Sequence, residues 1–199
     1  MELDDAIRRR RMVRSFEDRS VSPEVVDAVL AHAVQAPSAG FSQGWAFVVL
    51  EGREQTGRFW STDADAAWLA RPDHPGVLQA PVIVIPFCNG QAYLDRYAAP
   101  DKSASSLAGV EASAWPAPYW LIDTAFATML LLLGAVEEGL GALFFRTHGD
   151  PQRLRAAFNV PDGWDPIGAV ALGWPAPSDA GVRSRARRPR DEVVHRGGW

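Results

Sequence analysis

Hydrophobic residues recur along this chain at helical spacing in some segments and as short continuous runs in others. Residues 3–11 and 22–37 show the helical spacing, and the second segment opens with serine, proline and glutamate, a typical helix start. The runs Trp45–Leu50 and Pro81–Phe87 have the length and composition of strands. Because Pro81–Phe87 is apolar throughout, we expect that strand to be buried on both faces.

The second half of the chain begins with a very apolar helix, predicted over Tyr119–Leu140. Its uncharged core spans only residues 124–136, too short to cross a bilayer, so we expect a core or subunit-interface helix and no membrane association. Ala142–Phe145 and Ile167–Gly173 are predicted strands, and Asp150 is the predicted N-cap of a helix between them. Helices that alternate with short strands predict one α+β or α/β domain over the whole chain.

Two segments lack a clear period. Residues 89–118 mix small residues, proline and glycine with scattered aromatic residues, and we expect an irregular segment. Such a long irregular segment inside a domain is usually functional or mobile. Residues 175–199 contain prolines and an arginine-rich run, which predicts a C-terminal arm rather than a core element.

The composition narrows the classes of function. A formal net charge of −4 disfavours a dedicated nucleic-acid-binding protein, which is usually strongly basic. Cys88 is the one cysteine and the four histidines stand far apart, so we expect no metal site. The first residues lack the apolar stretch of a signal peptide, and we therefore expect a cytoplasmic protein.

Three segments carry chemistry that could bind a ligand. The run Arg8–Arg11 together with Arg14 could bind a phosphate bidentately, although such a run is also typical of a solvated helix face. The small residues in Ala36–Trp45 allow a flat ligand to approach the backbone closely, although an ordinary turn has the same composition. The run Arg185–Arg190 is a third basic segment or a solvated tail.

In this order, these segments resemble motifs of the nitroreductase family of flavin-dependent oxidoreductases. The family pattern R-R/H-S-x-R/K-x-F is matched by Arg10–Phe16, and A-P-S-x-x-N-x-Q-P-W is matched by Ala36–Trp45. The apolar helix that ends in G-L-G is similar to Leu130–Gly141, and the strand that ends in G-x-P is similar to Ala169–Pro175. Arg185–Pro189 matches the basic arm before a proline, so the resemblance covers nearly the whole chain.

The resemblance implies an α+β, three-layer fold with a central mixed sheet flanked by helices. It also implies an intertwined homodimer that holds two FMN molecules at the subunit interface. Carried over by position, Arg10, Arg11 and Met12 would lie along the FMN phosphate and ribityl chain. Arg14 would reach the pyrimidine end of the ring, where a positive charge stabilises reduced, anionic flavin.

Three further segments are implied in the flavin site. Residues 37–40 would supply backbone from the partner subunit, the end of the strand at 144–146 would pass the flavin N5 edge, and the arm would complete the phosphate site. The implied residues are Pro37, Ser38, Ala39, Gly40, Phe41 and Gln43, then Phe144, Phe145 and Arg146, and finally Arg185 and Arg187.

The chain departs from the family pattern at three positions. Met12 stands where serine usually donates to the phosphate, and Phe41 stands where asparagine usually contacts the flavin. Gly44 replaces proline. These departures leave open that FMN binds differently here or that another planar cofactor, such as a deazaflavin, takes its place.

The resemblance implies an enzyme that uses NADPH or NADH to reduce flat, electron-poor acceptors, such as nitro compounds or quinones, in two hydride steps. The flavin carries such chemistry, so no catalytic triad is expected. A dehydrogenation or a flavin-consuming reaction on the same fold remains an alternative. A non-catalytic protein that binds flavin or deazaflavin is another.

The aromatic residues near 89–118 have two interpretations. In the first, this segment is a lid over the flavin, and Phe41, Trp115, Tyr119 and Trp120 contact a planar substrate. In the second, the same aromatics anchor the segment to the core or to the second subunit.

Overall fold

One β-sheet organises the protein in the computed structural model, which describes residues 1–70, 72, 74–177 and 186–199. Four strands lie side by side in the order β1-β2-β5-β3, and the short β4 pairs with the end of β2. The strands are β1 (Trp45–Glu51), β2 (Val82–Cys88), β3 (Gly141–Phe145), β4 (Asp165–Pro166) and β5 (Ala169–Gly173).

The expectation of a mixed sheet is wrong for the strands of this sheet. Within the described residues, each pair of neighbouring strands is antiparallel. The parallel element is a single bridge between Met12 and Ala142, on the outer edge of β3.

Seven α-helices surround the sheet within the described part of the chain. Helices α2 and α6 pack together on one face, whereas α3 and α7 lie on the other. The helices are α1 (Leu3–Arg9), α2 (Pro23–Ala33), α3 (Gly52–Asp63), α4 (Ala66–Ala70), α5 (Gly90–Tyr97), α6 (Tyr119–Glu137) and α7 (Pro151–Phe158).

The central strand β2 creates the three layers because its side chains alternate between two hydrophobic clusters. Val82 and Val84 belong to the cluster that contains α2 and α6, while Ile83 and Ile85 belong to the cluster that contains α3 and α7. Each residue of β2 is buried. The prediction of a strand buried on both faces is therefore confirmed.

Helix α6 is the long apolar helix that the sequence predicts, and it has a buried and an exposed face. Leu131 and Ala135 are fully buried, whereas Phe126 is 48% exposed and Met129 is 39% exposed. By length and composition α6 is the one described helix that could cross a membrane, with a mean hydropathy of 1.7 in its most apolar window. Of that window, 44% is buried inside the fold.

The expectation of an irregular segment over residues 89–118 is wrong for its first part. Helix α5 begins after Asn89, whose side chain accepts a hydrogen bond from the Ala92 N–H, and short 3₁₀ turns follow it. Tyr93 is the one buried residue of this helix. With one buried residue, α5 has no apolar repeat that the sequence could show.

Candidate functional site

The arginine segment, residues 10–16, leaves α1, meets the free edge of β3 at Ala142 and then pairs with the residues that follow β5. The Val13 N–H donates to the Ala142 carbonyl at 2.9 Å, and Phe16 bridges to Pro175. These backbone contacts attach the predicted phosphate-binding residues to the sheet. Arg8 and Arg9 are exposed on α1, as a solvated helix face would be, whereas the residues that follow are bonded to the sheet.

Side chains of the arginine segment differ in their surroundings. Val13 is buried, and together with Arg9 and Arg11 it lines a hollow of ≈ 240 Å³ whose other walls come from the end of α6, the start of β3 and Pro175. Arg14 is half-buried and donates from Nη1 to the Met12 carbonyl at 3.2 Å. Met12 is half-buried and has no side-chain donor, so the phosphate contact of the family serine has no counterpart there.

The second predicted segment forms a tight turn loop, residues 38–43. Three of its residues have left-handed backbone conformations: Gly40 (φ 63°), Phe41 (φ 61°) and Gln43 (φ 51°). Non-glycine residues adopt such angles rarely. The Ser38 hydroxyl oxygen accepts from the Gln43 N–H at 3.0 Å, and Phe41 is 74% exposed.

Asp123 of α6 and two residues of α5 hold this turn loop from the inside. One carboxylate oxygen of the buried Asp123 accepts from the Ala39 N–H at 2.8 Å and from the Tyr93 hydroxyl at 2.7 Å. Arg96 donates from Nε to the Gly40 carbonyl at 2.8 Å. Burial and the hydrogen bond to Asp123 raise the pKa of Tyr93, so its phenol remains a donor at neutral pH.

Trp115 lies at the centre of an aromatic cluster made by this chain alone. It is buried, and its indole N–H donates to the Val110 carbonyl at 3.0 Å. Four rings surround it at centroid distances of 5.0 to 6.3 Å, those of Tyr93, Tyr97, Tyr119 and Trp120. For Trp115 these contacts favour the anchoring interpretation. Tyr119 and Trp120 are half-buried, and their contact with a substrate stays a prediction.

The end of β3 borders a second, aromatic hollow of ≈ 150 Å³. Phe145 stacks on Trp60 at 5.4 Å, Phe144 is half-buried and Arg146 is exposed. Buried Asp63 accepts from the N–H groups of His148 and Gly149, which holds the loop after β3. The lining residues of this hollow are Trp60, Trp68, His74, Val77, Leu143, Phe145 and His148.

Among the residues that line this hollow, the sequence motifs identified only Phe145. Trp60 lies on a helix whose period was not visible, and no spacing links Trp60 to His148 before the chain folds. The Trp60 indole N–H is buried and finds no acceptor among the described residues. A buried donor without an acceptor is unusual and marks a place where a polar atom would be accommodated.

The sheet register places the arginine segment and the turn loop at opposite ends of the molecule. Met12 is next to Ala142, whose neighbours across the sheet lead to Val82 at the start of β2. The turn loop leads into Trp45, which pairs with Cys88 at the other end of β2. The length of β2 separates these levels, about 20 Å at the rise of a strand. One protomer therefore does not bring the two segments together.

The C-terminal part of the predicted site is described only in part. Arg185 lies outside the described residues, whereas Arg187 lies within them and is exposed. Their contact with a phosphate stays a prediction.

Two other chemistries have little support. No group of three or more His, Cys, Asp or Glu side chains that could hold a metal ion occurs among the described residues. Burial raises the pKa of the Cys88 thiol to about 11, and a protonated, buried thiol is a poor nucleophile.

Comparison with known proteins identifies the family. The model of the nitroreductase family matches residues 7–174, a range that includes the arginine segment, the turn loop and β3. The chain belongs to the nitroreductase family. This confirms the resemblance of the motifs and the α+β fold.

Individual relatives match this chain over most of their length. A protein from Methanothermobacter thermautotrophicus, with the provisional name NADH dehydrogenase/NAD(P)H nitroreductase, is 28% identical and covers 88% of this chain and 78% of its own. The 5,6-dimethylbenzimidazole synthase of Rhodospirillum rubrum is 29% identical over 87% of this chain and 82% of its own.

A solved structure shows the same fold. It is a provisionally named nitroreductase from Exiguobacterium sibiricum in complex with FMN, with a TM-score of 0.76 and 19% identity. The alignment covers 98% of this chain and 97% of that one.

The donor groups of this chain fit FMN. The arginine segment offers guanidinium groups, which match a phosphate dianion, and Arg11 lines the hollow of ≈ 240 Å³. The substitutions at Met12 and Phe41 remove two polar contacts of the family pattern but place no negative charge there.

Proposed function

We propose that this protein is a flavin-dependent oxidoreductase that binds FMN and uses NADH or NADPH to reduce flat, electron-poor acceptors such as nitro compounds or quinones. The observation that carries the proposal is the arginine segment, which is bonded through Val13 to Ala142 of β3 and lies inside the family match. Bound FMN would supply the hydride chemistry that connects the nicotinamide to the acceptor.

The residues of this chain have binding and electrostatic roles in the proposal. Arg10 and Arg11 hold the phosphate, because a guanidinium stays charged and matches phosphate oxygens in pairs. Arg14 stands three residues beyond Arg11 and stabilises negative charge on the reduced pyrimidine edge. Arg187 adds charge from the C-terminal arm.

A second copy of the chain completes this proposed site. The turn loop is at the opposite end of the sheet from the arginine segment. A flavin held by the arginine segment of one subunit can therefore contact only the turn loop of the other subunit. The exposed apolar face on α1 and α6 offers a surface for that partner, with Ile7, Phe126 and Met129 among its residues. We therefore propose a homodimer with the flavin between the subunits.

A second candidate function is a reaction that consumes the flavin or dehydrogenates the substrate. Phe41 gives the flavin edge an apolar wall where the family pattern has an amide. A relative named as a synthase is as similar to this chain as one named as a nitroreductase. Both observations are compatible with chemistry other than acceptor reduction.

One titration tests the proposal. Purified protein is loaded with FMN, freed of excess cofactor, and titrated anaerobically with NADH and with NADPH while the flavin absorbance is followed. The reductase assignment expects bleaching by a nicotinamide and full recovery when a quinone is added. A flavin spectrum that does not return after air is admitted supports the second candidate, and retention without bleaching supports a binding protein.

Arginine substitutions test the proposed phosphate site. Arg10→Ala and Arg187→Ala should each weaken FMN affinity by about 1.5–3 kcal/mol, the value of a hydrogen bond to a charged group. Arg153→Ala, an exposed position of α7, is the matched control and should bind FMN like the unaltered protein. Equal affinity in all three variants would refute the site.

A further inference from the structure

We infer that Tyr93, Arg96 and Asp123 form a latch that sets the backbone conformation of the turn loop, and through it the position at which Phe41 meets the flavin and acceptor of the partner subunit. The inference rests on the proposed function and adds positioning residues to it. None of the three latch residues belongs to a family motif identified in the sequence.

The backbone conformation of the turn loop needs stabilising contacts from the rest of the fold. Gly40 and Phe41 are consecutive left-handed residues, and Gln43 is a third within four positions. A backbone of this kind persists only where its surroundings determine it, and such backbones cluster at functional sites. Because Phe41 is 74% exposed, its own side chain does not supply that support.

The contacts of the latch end on the backbone of the loop. Asp123 accepts from the Ala39 N–H, and Arg96 donates to the Gly40 carbonyl, so one donor and one acceptor of consecutive residues are held from the same side. Tyr93 donates to the same oxygen of Asp123 and orients the carboxylate. A contact that served packing alone would not need to end on these two backbone groups.

Arg96 also forms an ion pair, which engages its terminal nitrogens and leaves Nε for the loop. Its two terminal nitrogens bind both carboxylate oxygens of Asp101, at 2.8 and 2.7 Å, while Nε remains directed at the Gly40 carbonyl. The neighbouring ring of Tyr97 fills the space beside Gly40: a Cβ there would lie 2.7 Å from Cε2 of that ring. Residues of α5 and α6 therefore contact the loop at Ala39 and Gly40, while the side chain of Phe41 stays exposed.

The first experiment compares Arg96→Ala with Asp101→Ala. The first variant removes the donor to Gly40, whereas the second removes the exposed ion pair and leaves Nε in place. Hydrogen exchange of amides 38–43 is measured without cofactor, and FMN affinity and acceptor kinetics are measured on the loaded enzyme.

The latch predicts that the two variants differ. Arg96→Ala should speed exchange in the loop about tenfold and weaken FMN affinity by a similar factor, since a hydrogen bond from a charged donor is lost. It should raise KM for a quinone more than it changes kcat. Asp101→Ala should stay close to the unaltered protein in each measurement, because exposed ion pairs contribute little.

The second experiment uses Asp123, with a conservative variant as a test of rescue. Asp123→Ala frees the Ala39 N–H and should reproduce the effects of Arg96→Ala. Asp123→Asn keeps an oxygen that can accept from both Ala39 and Tyr93, and it should recover most of the FMN affinity and loop protection. Tyr93→Phe loses a buried hydrogen bond but spares the contact to Ala39, so it should lower stability more than FMN affinity.

These results separate the latch from the proposed function. Equal loop exchange in Arg96→Ala, Asp101→Ala and the unaltered protein would overturn the latch. Loss of affinity in Tyr93→Phe as large as in Asp123→Ala would also overturn it, since this would indicate a general loss of stability. An unaltered protein that fails to bind FMN overturns the proposed function, while the exchange data still decide whether the latch holds the loop.

Discussion

At the scale of single residues, the packing of this chain explains why the turn region contains small side chains. The sequence allowed the interpretation that they let a flat ligand approach the backbone. The structure shows that aromatic rings of the same chain occupy the space: Gly40 faces Tyr97, and a Cβ on Gly44 would lie 2.5 Å from Tyr93 and 2.8 Å from the Asn89 carbonyl oxygen. Glycine is therefore required at these positions by the packing of α5, independently of any ligand.

A pair of glycine substitutions tests this requirement. Gly44→Ala should lower the free energy of unfolding by about 1–3 kcal/mol, the usual cost of overpacking. Gly57→Ala is the control, because a Cβ there meets nothing within 4 Å and alanine favours the helix by up to about 1 kcal/mol. Urea denaturation measures both. A Gly44→Ala variant as stable as the unaltered protein would show that the backbone adjusts around the added methyl group.

At the scale of elements, helices with an apolar period were predictable and helices without one were not. Helix α7 begins as predicted, with the Asp150 side chain accepting from the Gln152 N–H at 2.9 Å. Helix α3 was missed because two of its four buried residues, Thr56 and Asp63, are polar. Polar residues on the buried face interrupt the apolar repeat of the helix, although their side chains form hydrogen bonds inside the fold.

Asp63 is such a residue, since it connects the end of α3 to the loop after β3. Its carboxylate accepts from the backbone N–H groups of His148 and Gly149 at 3.0–3.1 Å. Asp63→Ala leaves two part-buried N–H donors without their acceptor and should cost about 1–3 kcal/mol of unfolding free energy. Asp63→Asn keeps one acceptor and should cost less. Thermal unfolding measures the difference, and equal loss in both variants would mean that the charge, rather than the acceptor geometry, is what the loop needs.

At the scale of the whole molecule, two features favour a homodimer. One is an exposed apolar face, and the other is the separation of the arginine segment from the turn loop within one chain. The face includes Leu3 and Ile7 of α1 and Phe126 and Met129 of α6, all exposed in the single chain. Contiguous exposed apolar surfaces mark interaction sites. A partner on this face would cover it and would supply the turn loop that the arginine segment lacks in one protomer.

A charge placed in this face tests the homodimer. The unaltered protein should elute with a mass near twice 21.7 kDa in light scattering, and Phe126→Glu should shift it towards 21.7 kDa with loss of bound FMN. The physical reason is that a buried, unpaired carboxylate is costly in an interface. Gln152→Glu, on the exposed side of α7, is the control and should keep both mass and flavin. A monomeric unaltered protein that retains FMN would refute the arrangement.

The sequence by itself determined the elements whose signals are local. Continuous apolarity marked β2, helical spacing marked α2 and α6, and the cap at Asp150 marked α7. The arginine and turn-loop motifs were also visible in the chain, and with their order they led to the family that the comparisons show. These features depend on neighbouring residues, so their physical causes are present before the chain folds.

Only the tertiary structure decided how distant residues meet. In the structure, the first part of residues 89–118 forms α5, and Trp115 is buried among aromatic rings of the same chain. Asp123 accepts a hydrogen bond from the Ala39 N–H. The arginine segment and the turn loop lie at opposite ends of β2. The reason is physical: a hydrogen bond between residues 39 and 123, or a distance across a sheet, depends on the register and packing of strands and helices far apart in sequence, and no local period encodes it.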